Sequence, residues 1–328
     1  MIKAVIKFII LVLVILLIAW LYLADFGKKN PVEFGVTFSH KYAMELKLNW
    51  HRALEEILDD LGVRKFRLAT HWDLLETEEG KYNFRDLDWQ VETISDRGGE
   101  IILAIGQRTP RWPECHWPDW IFQYSEEERQ EHILVLLEKI IDRYKDHPAI
   151  VAWQVENEPF LKVFGECPAP DKDFYEKEIA LVKSLDSSRP IMVTESGELS
   201  TWLRGASLVD QVGTSVYRIT WNKWLGYFYY PLPPAHYYLK AKLVKMLTPV
   251  EDIFVSEMQM EPWLGRPILF NSLEEQYESM DLGKFKDNLD YAERIGLSPS
   301  YLWGVEWWNW LKEQGEEDIW NEAKKIWQ

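Results

Sequence analysis

Short apolar runs alternate with helical patterns along most of this 328-residue chain. Such alternation is typical of repeated strand–helix units arranged around a parallel sheet. There are eight runs, the number that closes a barrel of this kind. They are Phe34 to Phe38, Lys65 to Ala69, Ile101 to Ile105, Ile150 to Val155, Ile191 to Thr194, Gln211 to Val216, Ile253 to Ser256, and Tyr301 to Val305. The sequence therefore predicts an α/β fold, a single (β/α)8 TIM barrel over residues 31–328.

Between the runs, some helices carry clear signals. Ser125 and Glu128 have the spacing of a capping box, and apolar residues at helical spacing follow as far as Tyr144. The longest irregular stretch, from Arg218 to Tyr238, is rich in Trp, Tyr and Pro. We expect it to be a loop that forms one wall of a cleft, because long loops in compact domains tend to be functional.

The first thirty residues differ from the rest. From Phe8 to Ala24 there is neither a charge nor a helix breaker, so the apolar stretch approaches the roughly 20 residues that a bilayer requires. Residues 1–30 are therefore predicted to be an uncleaved signal-anchor and linker, a single-pass transmembrane helix that holds the catalytic domain outside the cytoplasm at the cell membrane. A cleaved signal peptide is the alternative, although Trp20 to Asp25 is a poor cleavage site.

The composition narrows the range of partners. A net charge of −16 argues against nucleic acid, whose phosphates are bound by Lys and Arg. The 18 Trp exceed what a core needs, and Trp rings stack on the apolar faces of sugars. The two cysteines, Cys115 and Cys167, follow strand ends on one barrel face and could form a disulfide; two free thiols are the alternative.

Two of the apolar runs are followed closely by a glutamate. The stretch from Val151 to Pro159 closes on Glu158, and the run from Ile253 leads to Glu257. Glycoside cleavage needs one carboxyl group to protonate the leaving oxygen and a second to attack or stabilise the anomeric carbon. Each Glu could instead pair with a nearby Arg, and Glu261 could exchange roles with Glu257 if the strand ended later.

With these residues the chain resembles, over about 34–310, the clan of retaining (β/α)8 glycoside hydrolases that includes family 5 cellulases and mannanases and family 42 β-galactosidases. The resemblance implies that Glu158 is the acid/base and Glu257 the nucleophile. It also implies that Asn157 donates to the sugar 2-hydroxyl. The chain departs from family 5 at Ser215, where members usually carry His.

Further residues are expected to bind substrate. By the same resemblance, Arg67 orients the nucleophile, Tyr217 contacts it, and Trp303 is the aromatic platform under the cleaved sugar. His71 and Trp112 are candidate subsite contacts because they follow strand ends.

The predicted function is retaining hydrolysis of a β-linked glycan, with endo action on an oligo- or polysaccharide and a carbohydrate as the partner. No cofactor or metal is expected, because the His and Cys spacings match no common metal motif. A transglycosylase that remodels a surface glycan and an inactive glycan-binding barrel remain as alternatives.

Overall fold

The computed structural model describes residues 2–328, without the side chains of Ile2, Ala4 and Tyr22. The strands in chain order are β1 Phe34–Phe38, β2 Lys65–Ala69, β3 Glu100–Ile105, β4 Ile150–Asn157, β5 Ile191–Glu195, β6 Gln211–Val216, β7 Ile219–Asn222, β8 Gly226–Tyr229, β9 Asp252–Gln259 and β10 Ser300–Trp303. Eight of them are parallel neighbours and close in the order β1-β10-β9-β6-β5-β4-β3-β2, while β7 and β8 form a separate hairpin. The predicted barrel is confirmed.

The helices lie outside this barrel. They are α1 Ile2–Leu23, α2 His40–Glu45, α3 Trp50–Glu56, α4 Trp72–Leu75, α5 Arg85–Ser95, α6 Glu126–Tyr144, α7 Lys172–Leu185, α8 Leu203–Ala206, α9 Pro234–Leu247, α10 Leu273–Ser279, α11 Leu282–Ile295, α12 Val305–Glu313 and α13 Asp318–Trp327. A π-helical turn spans Ile57–Leu61, and 3-10 turns span Asp119–Gln123 and Ile268–Phe270. The capping box predicted at Ser125 and Glu128 is present at the start of α6.

The barrel has two separate apolar regions. The larger one lies between the strands and the helices and includes the buried face of α6. The smaller one consists of five residues from five different strands, which places it inside the barrel. These residues are Ile102, Ala152, Met192, Phe254 and Tyr301. A filled interior of this kind leaves the mouth of the barrel as the place for a site.

Several predicted boundaries require correction. β4 continues to Asn157 and β9 to Gln259, so Glu257 lies within its strand rather than beyond it. Val305 begins α12 instead of ending a strand, because Gly304 takes φ 131° and turns the chain. The stretch predicted as one loop from Arg218 holds the β7–β8 hairpin and the start of α9.

The predicted transmembrane helix over Phe8–Ala24 also requires correction. Across residues 2–328, none of the helices combines the length and the apolar character needed to cross a bilayer. All of the stretch except Ala24 falls within α1, whose first turns carry Lys3 and Lys7, so the uncharged part of the helix begins only at Phe8 and the helix ends at Leu23. That part is shorter than the roughly 20 residues that a bilayer requires.

Candidate active site

A bulge in β4 sets the directions of the side chains around Glu158. Between Gln154 and Asn157 the pairing with β5 shifts by one residue, and Glu156 takes φ 62°. Side chains normally alternate between the two faces of a strand, and an extra residue breaks that alternation. As a result, Gln154 and Asn157 both reach Arg67 inside the barrel, whereas Glu156 turns away to accept the backbone N–H of Gln107.

β9 contains a matching irregularity just before Glu257. Its pairing with β6 passes from Thr214–Val255 to Ser215–Glu257, which leaves Ser256 as the extra residue. Ser256 accepts a hydrogen bond from Thr194, and Glu257 accepts one from Arg67. Consecutive residues of β9 thus both face the barrel interior, so the bulge aims Glu257 at the centre of the barrel mouth.

Arg67 on β2 hydrogen-bonds to several of the residues at this barrel mouth. Its guanidinium is fully buried and donates to side chains from four other strands. The shorter of these bonds are 2.9 Å to Glu257 Oε1, 2.6 Å to Gln154 Oε1, 2.7 Å to Asn157 Oδ1 and 3.1 Å to Thr194 Oγ1. A planar guanidinium with five fixed donors can hold such a set in place, which a flexible ammonium cannot.

Glu257 receives a second donor from the other side. The hydroxyl of Tyr217, just after β6, donates to Glu257 Oε2 at 2.9 Å, and the side chain of Glu257 is buried. Both carboxylate oxygens are therefore hydrogen-bonded, one to a cation and one to a phenol. These two donors fix the orientation of the Glu257 carboxylate at the barrel mouth.

Glu158 has the opposite environment. It is also buried, but the hydrogen bond that its carboxyl group accepts from a neighbouring side chain comes from the Ser215 hydroxyl, at 3.0 Å. Burial raises the pKa of Glu158 well above its usual range, and the nearby carboxylates of Glu257 and Glu114 raise it further. The group therefore keeps its proton to a higher pH than an ordinary glutamate does. The two carboxyl groups thus lie in different environments, the pattern that separates an acid from a nucleophile.

The loop after β3 crosses to the opposite side of the mouth. Arg111 in this loop forms ion pairs with Glu261, beyond β9, and with Glu306 at the start of α12, the latter at 2.6 Å. Its guanidinium also lies 4.2 Å from the centroid of the Trp303 ring, and Trp303 donates to Glu261 at 2.7 Å. We call residues 106–118 the β3 strap. Glu261 is thus a partner of the strap, whereas Glu257 has the contacts expected of a nucleophile.

The remaining predicted residues lie in different surroundings. His71 is fully buried, 2.8 Å from the Ser39 hydroxyl through Nε2, and its role as a subsite contact stays a prediction. Trp112 is 54% exposed and is the outer end of a series of touching rings. The rings run from Tyr217 to Trp263 to Phe164 to Trp112, with centroids 4.8, 5.3 and 5.5 Å apart. They form an aromatic wall from the candidate nucleophile to solvent.

The sequence reasoning missed Glu114. This residue of the β3 strap is buried, and its carboxylate accepts a hydrogen bond from Asn157 Nδ2 at 2.8 Å. Burial raises its pKa to about 7, with Arg108 opposing the rise and Glu257 adding to it. Its neighbour Cys115 forms the predicted disulfide with Cys167. Its position beside one of the two cysteines was the available signal, but strand and helix periodicity carry no information about a loop residue.

Two family models match parts of the chain. Residues 106–226 match the TIM barrel domain of glycosyl hydrolases family 2, and residues 47–134 match the beta-galactosidase model of family 42. The first segment includes Asn157, Glu158 and Tyr217. The chain thus has the fold and the sequence matches of the (β/α)8 glycoside hydrolases, and the resemblance seen in the sequence is confirmed.

Individual relatives agree with this class. Beta-galactosidase BgaA of Clostridium cellulovorans is 31% identical over 132 residues, which is 34% of this chain and 20% of that protein. A solved beta-galactosidase from the psychrophilic Marinomonas ef1 has a TM-score of 0.58 at 13% identity and covers 90% of this chain and 59% of that one. A GH5_18 protein from Bifidobacterium longum has a TM-score of 0.58 at 12% identity, with coverage of 83% and 68%. The matches span a fifth or less of the length of the first curated relatives.

Proposed function

We propose that this chain is a retaining glycoside hydrolase that cleaves β-linked glycans by double displacement. The observation that carries the proposal is the contrast between two buried carboxyl groups at one barrel mouth. Glu257 is held by Arg67 and Tyr217, whereas burial and neighbouring carboxylates raise the pKa of Glu158.

The contrast assigns a role to each group. Glu257 attacks the anomeric carbon and forms a glycosyl-enzyme while Glu158 donates its proton to the departing glycosidic oxygen. Glu158, now a carboxylate, then takes a proton from water, whose oxygen attacks the anomeric carbon and releases Glu257. Two inversions at the anomeric carbon retain its configuration, and Glu158 is protonated again at the end of the cycle.

The first test is turnover of a panel of substrates by the purified protein. The panel contains aryl β-glycosides together with β-glucan, mannan, xylan and galactan. Aryl β-galactosides belong in it because several relatives are named beta-galactosidases. Sugar release that disappears in Glu257→Gln but persists in Glu166→Gln, a change in an exposed carboxylate of a nearby loop, supports the proposal. Wild-type protein without turnover of any substrate contradicts it.

The stereochemistry needs a separate measurement. Proton NMR of the first product identifies the anomer before mutarotation, and a β-anomer from a β-glycoside is expected. Azide should restore activity to Glu158→Ala and give a β-glycosyl azide, because a small anion can attack the glycosyl-enzyme without base assistance. An α-anomer as the first product would exclude the two-step mechanism.

Endo action on a polysaccharide is supported by the aromatic wall from Tyr217 to Trp112, because several rings in a row offer several stacking positions. Exo action is the second candidate, and the β3 strap favours it. Arg111 lies over the Trp303 ring and ties the strap to Glu306, and a strap held across this side of the mouth would shorten the cleft. A rapid loss of polymer viscosity per bond cleaved indicates endo action, whereas release of single sugars without that loss indicates exo action.

Transglycosylation and binding without turnover are further outcomes of the same panel. Longer products in the presence of an added sugar acceptor indicate the first, and retained binding without turnover indicates the second.

We also propose a location outside the cytoplasm, which the Cys115–Cys167 disulfide supports because such bonds persist in oxidising compartments. Alkylation of the protein in freshly lysed cells tests this: thiols that react only after reduction agree with it, and thiols that react at once contradict it.

A further inference from the structure

A third buried carboxylate, that of Glu114, lies beside the two proposed reactive groups. We propose that Glu114 is a positioning residue that holds the Asn157 amide so that one N–H points at the 2-hydroxyl of the sugar being cleaved. This inference rests on the proposed function, because it assigns a task within the same site.

The contacts of Asn157 show how the amide is held. Its Oδ1 accepts from Arg67 at 2.7 Å and from Gln154 at 3.2 Å, while its Nδ2 donates to Glu114 at 2.8 Å. A primary amide has two N–H groups, and these contacts use one of them. Both ends of the amide are thus fixed by charged side chains, and the second N–H remains for a ligand. Without Glu114 the nitrogen end would lose the partner that fixes its direction.

The loops around Glu114 are built to keep it there. Glu114 takes φ 74°, and the disulfide of Cys115 with Cys167 joins its loop to the loop after β4. Gly165 in that second loop packs against it, since a Cβ at this position would lie 3.0 Å from the Glu114 side chain. Arg108 lies 3.6 Å from the same carboxylate oxygen that Asn157 contacts. Such support is expected of a residue whose direction matters to the site.

The charge of Glu114 has a second effect on the site. Five charged or titratable groups face it: Arg108 in its own strap, Arg67 on β2, Tyr217 after β6, Glu257 on β9 and Glu158 after β4. Its carboxylate helps to raise the pKa of Glu158 and so keeps the acid protonated. Removal of this charge should therefore lower the pKa of Glu158 and move the alkaline limb of kcat/KM to lower pH.

The experiment compares aryl β-glycosides with and without the 2-hydroxyl. Glu114→Ala removes both the acceptor and the charge, whereas Glu114→Gln keeps a carbonyl acceptor for Asn157. Above pH 7, where Glu114 is ionised, kcat/KM of Glu114→Ala on the 2-hydroxy substrate should fall by about tenfold or more, since a hydrogen bond to a charged group is being removed. The 2-deoxy substrate lacks the hydroxyl that Asn157 is proposed to bind. On this substrate, Glu114→Ala should therefore not cause the part of the loss in kcat/KM that arises from misplacement of Asn157. Glu114→Gln should lose less on the 2-hydroxy substrate but shift the alkaline limb as far as Glu114→Ala does.

The control is Glu166→Gln, which removes an exposed charge close to Cys167 and should change neither quantity. Thermal melting of each variant confirms folding, and Glu114→Gln serves if Glu114→Ala does not fold. Equal losses on both substrates, or none on either, would overturn the positioning role while the proposed function stands. Wild-type protein that turns over no glycoside would overturn the proposed function and this inference with it.

Discussion

The Tyr217 hydroxyl can be tested by the removal of one oxygen atom. It donates to Glu257 Oε2, and a hydrogen bond to a charged group contributes about 1.5–3 kcal/mol. Tyr217→Phe should therefore lower kcat/KM on an aryl glycoside by roughly 10- to 100-fold. Tyr124→Phe is the matched control, because Tyr124 donates to Glu79 at the surface. Equal activity of the two variants would show that the phenol does not assist Glu257.

We expect the alkaline limb of activity to follow the deprotonation of Glu158. Because burial raises its pKa, the group keeps its proton to a higher pH than an ordinary glutamate and loses it as the pH rises through that pKa. With a poor leaving group, kcat/KM should fall along this limb. With a dinitrophenyl leaving group, which departs without protonation, kcat/KM should stay nearly flat over the same range. Identical profiles for the two substrates would assign the limb to another group.

At the scale of elements, the β3 strap depends on a buried ion pair. Arg111→Ala leaves Glu261 and Glu306 as buried carboxylates without their cation, and the loss of one partner of a buried pair costs about 3–5 kcal/mol. Urea denaturation should show this loss. Arg143→Ala breaks a partly exposed pair with Asp88 and should cost about 1 kcal/mol or less. Equal costs would mean that the strap does not depend on its charges.

The barrel strands could be predicted from sequence, whereas the bulges and the strap could not. Apolar runs such as Lys65 to Ala69 carry the pattern of a buried strand in their own residues, and this strand was placed correctly. A bulge is different, because one extra residue such as Ser256 is defined only by its pairing with a neighbouring strand. The contact of Arg111 with Glu306 joins residues far apart in the chain, and no local pattern encodes it.

The residues of the candidate site also divide into those that the sequence predicts and those that it does not. Glu158 and Glu257 could be named because each follows an apolar run, and Arg67 because it lies at the end of another. Ser215 and Glu114 reach the site through hydrogen bonds that only the folded arrangement creates. The carboxyl groups recognisable from sequence are thus the proposed reactive ones, while their supporting residues come from loops and neighbouring strands.

At the scale of the whole molecule, buried carboxyl groups should make stability depend on pH. Burial raises the pKa of Glu178 on α7 well above its usual range, and the Glu156 carboxylate reinforces this; burial raises the pKa of Glu306 and Glu198 to about 7. A raised folded-state pKa contributes stability that is fully present below the unfolded value near 4.3 and is lost as the pH rises through the folded value. These groups therefore weaken the fold from pH 5 upward.

Buried histidines have the opposite effect on the pH dependence of stability over part of this pH range. Burial lowers the pKa of His40 to about 4 and that of His116 to about 3, so below pH 6.5 the unfolded chain binds protons that the folded protein does not. Their contribution rises with pH and is complete just above about 6.5, the unfolded His value. Between about pH 7 and pH 8 several buried carboxyl groups act against one buried lysine, Lys240, whose pKa burial lowers to about 8, so the free energy of unfolding of the wild-type protein should fall.

Glu178→Gln tests this dependence at one group. The glutamine amide can donate to Glu156 as the protonated acid does, but it cannot ionise, so the variant avoids the cost of a buried charge as the pH rises. Its stability relative to the wild-type protein should increase from pH 7 to pH 8, measured by urea denaturation. Glu176→Gln, an exposed change on the same helix, should show a constant difference over that range. A constant difference for Glu178→Gln as well would mean that Glu178 does not hold a proton in the folded protein, and the pH dependence would then have to arise from Glu306 and Glu198.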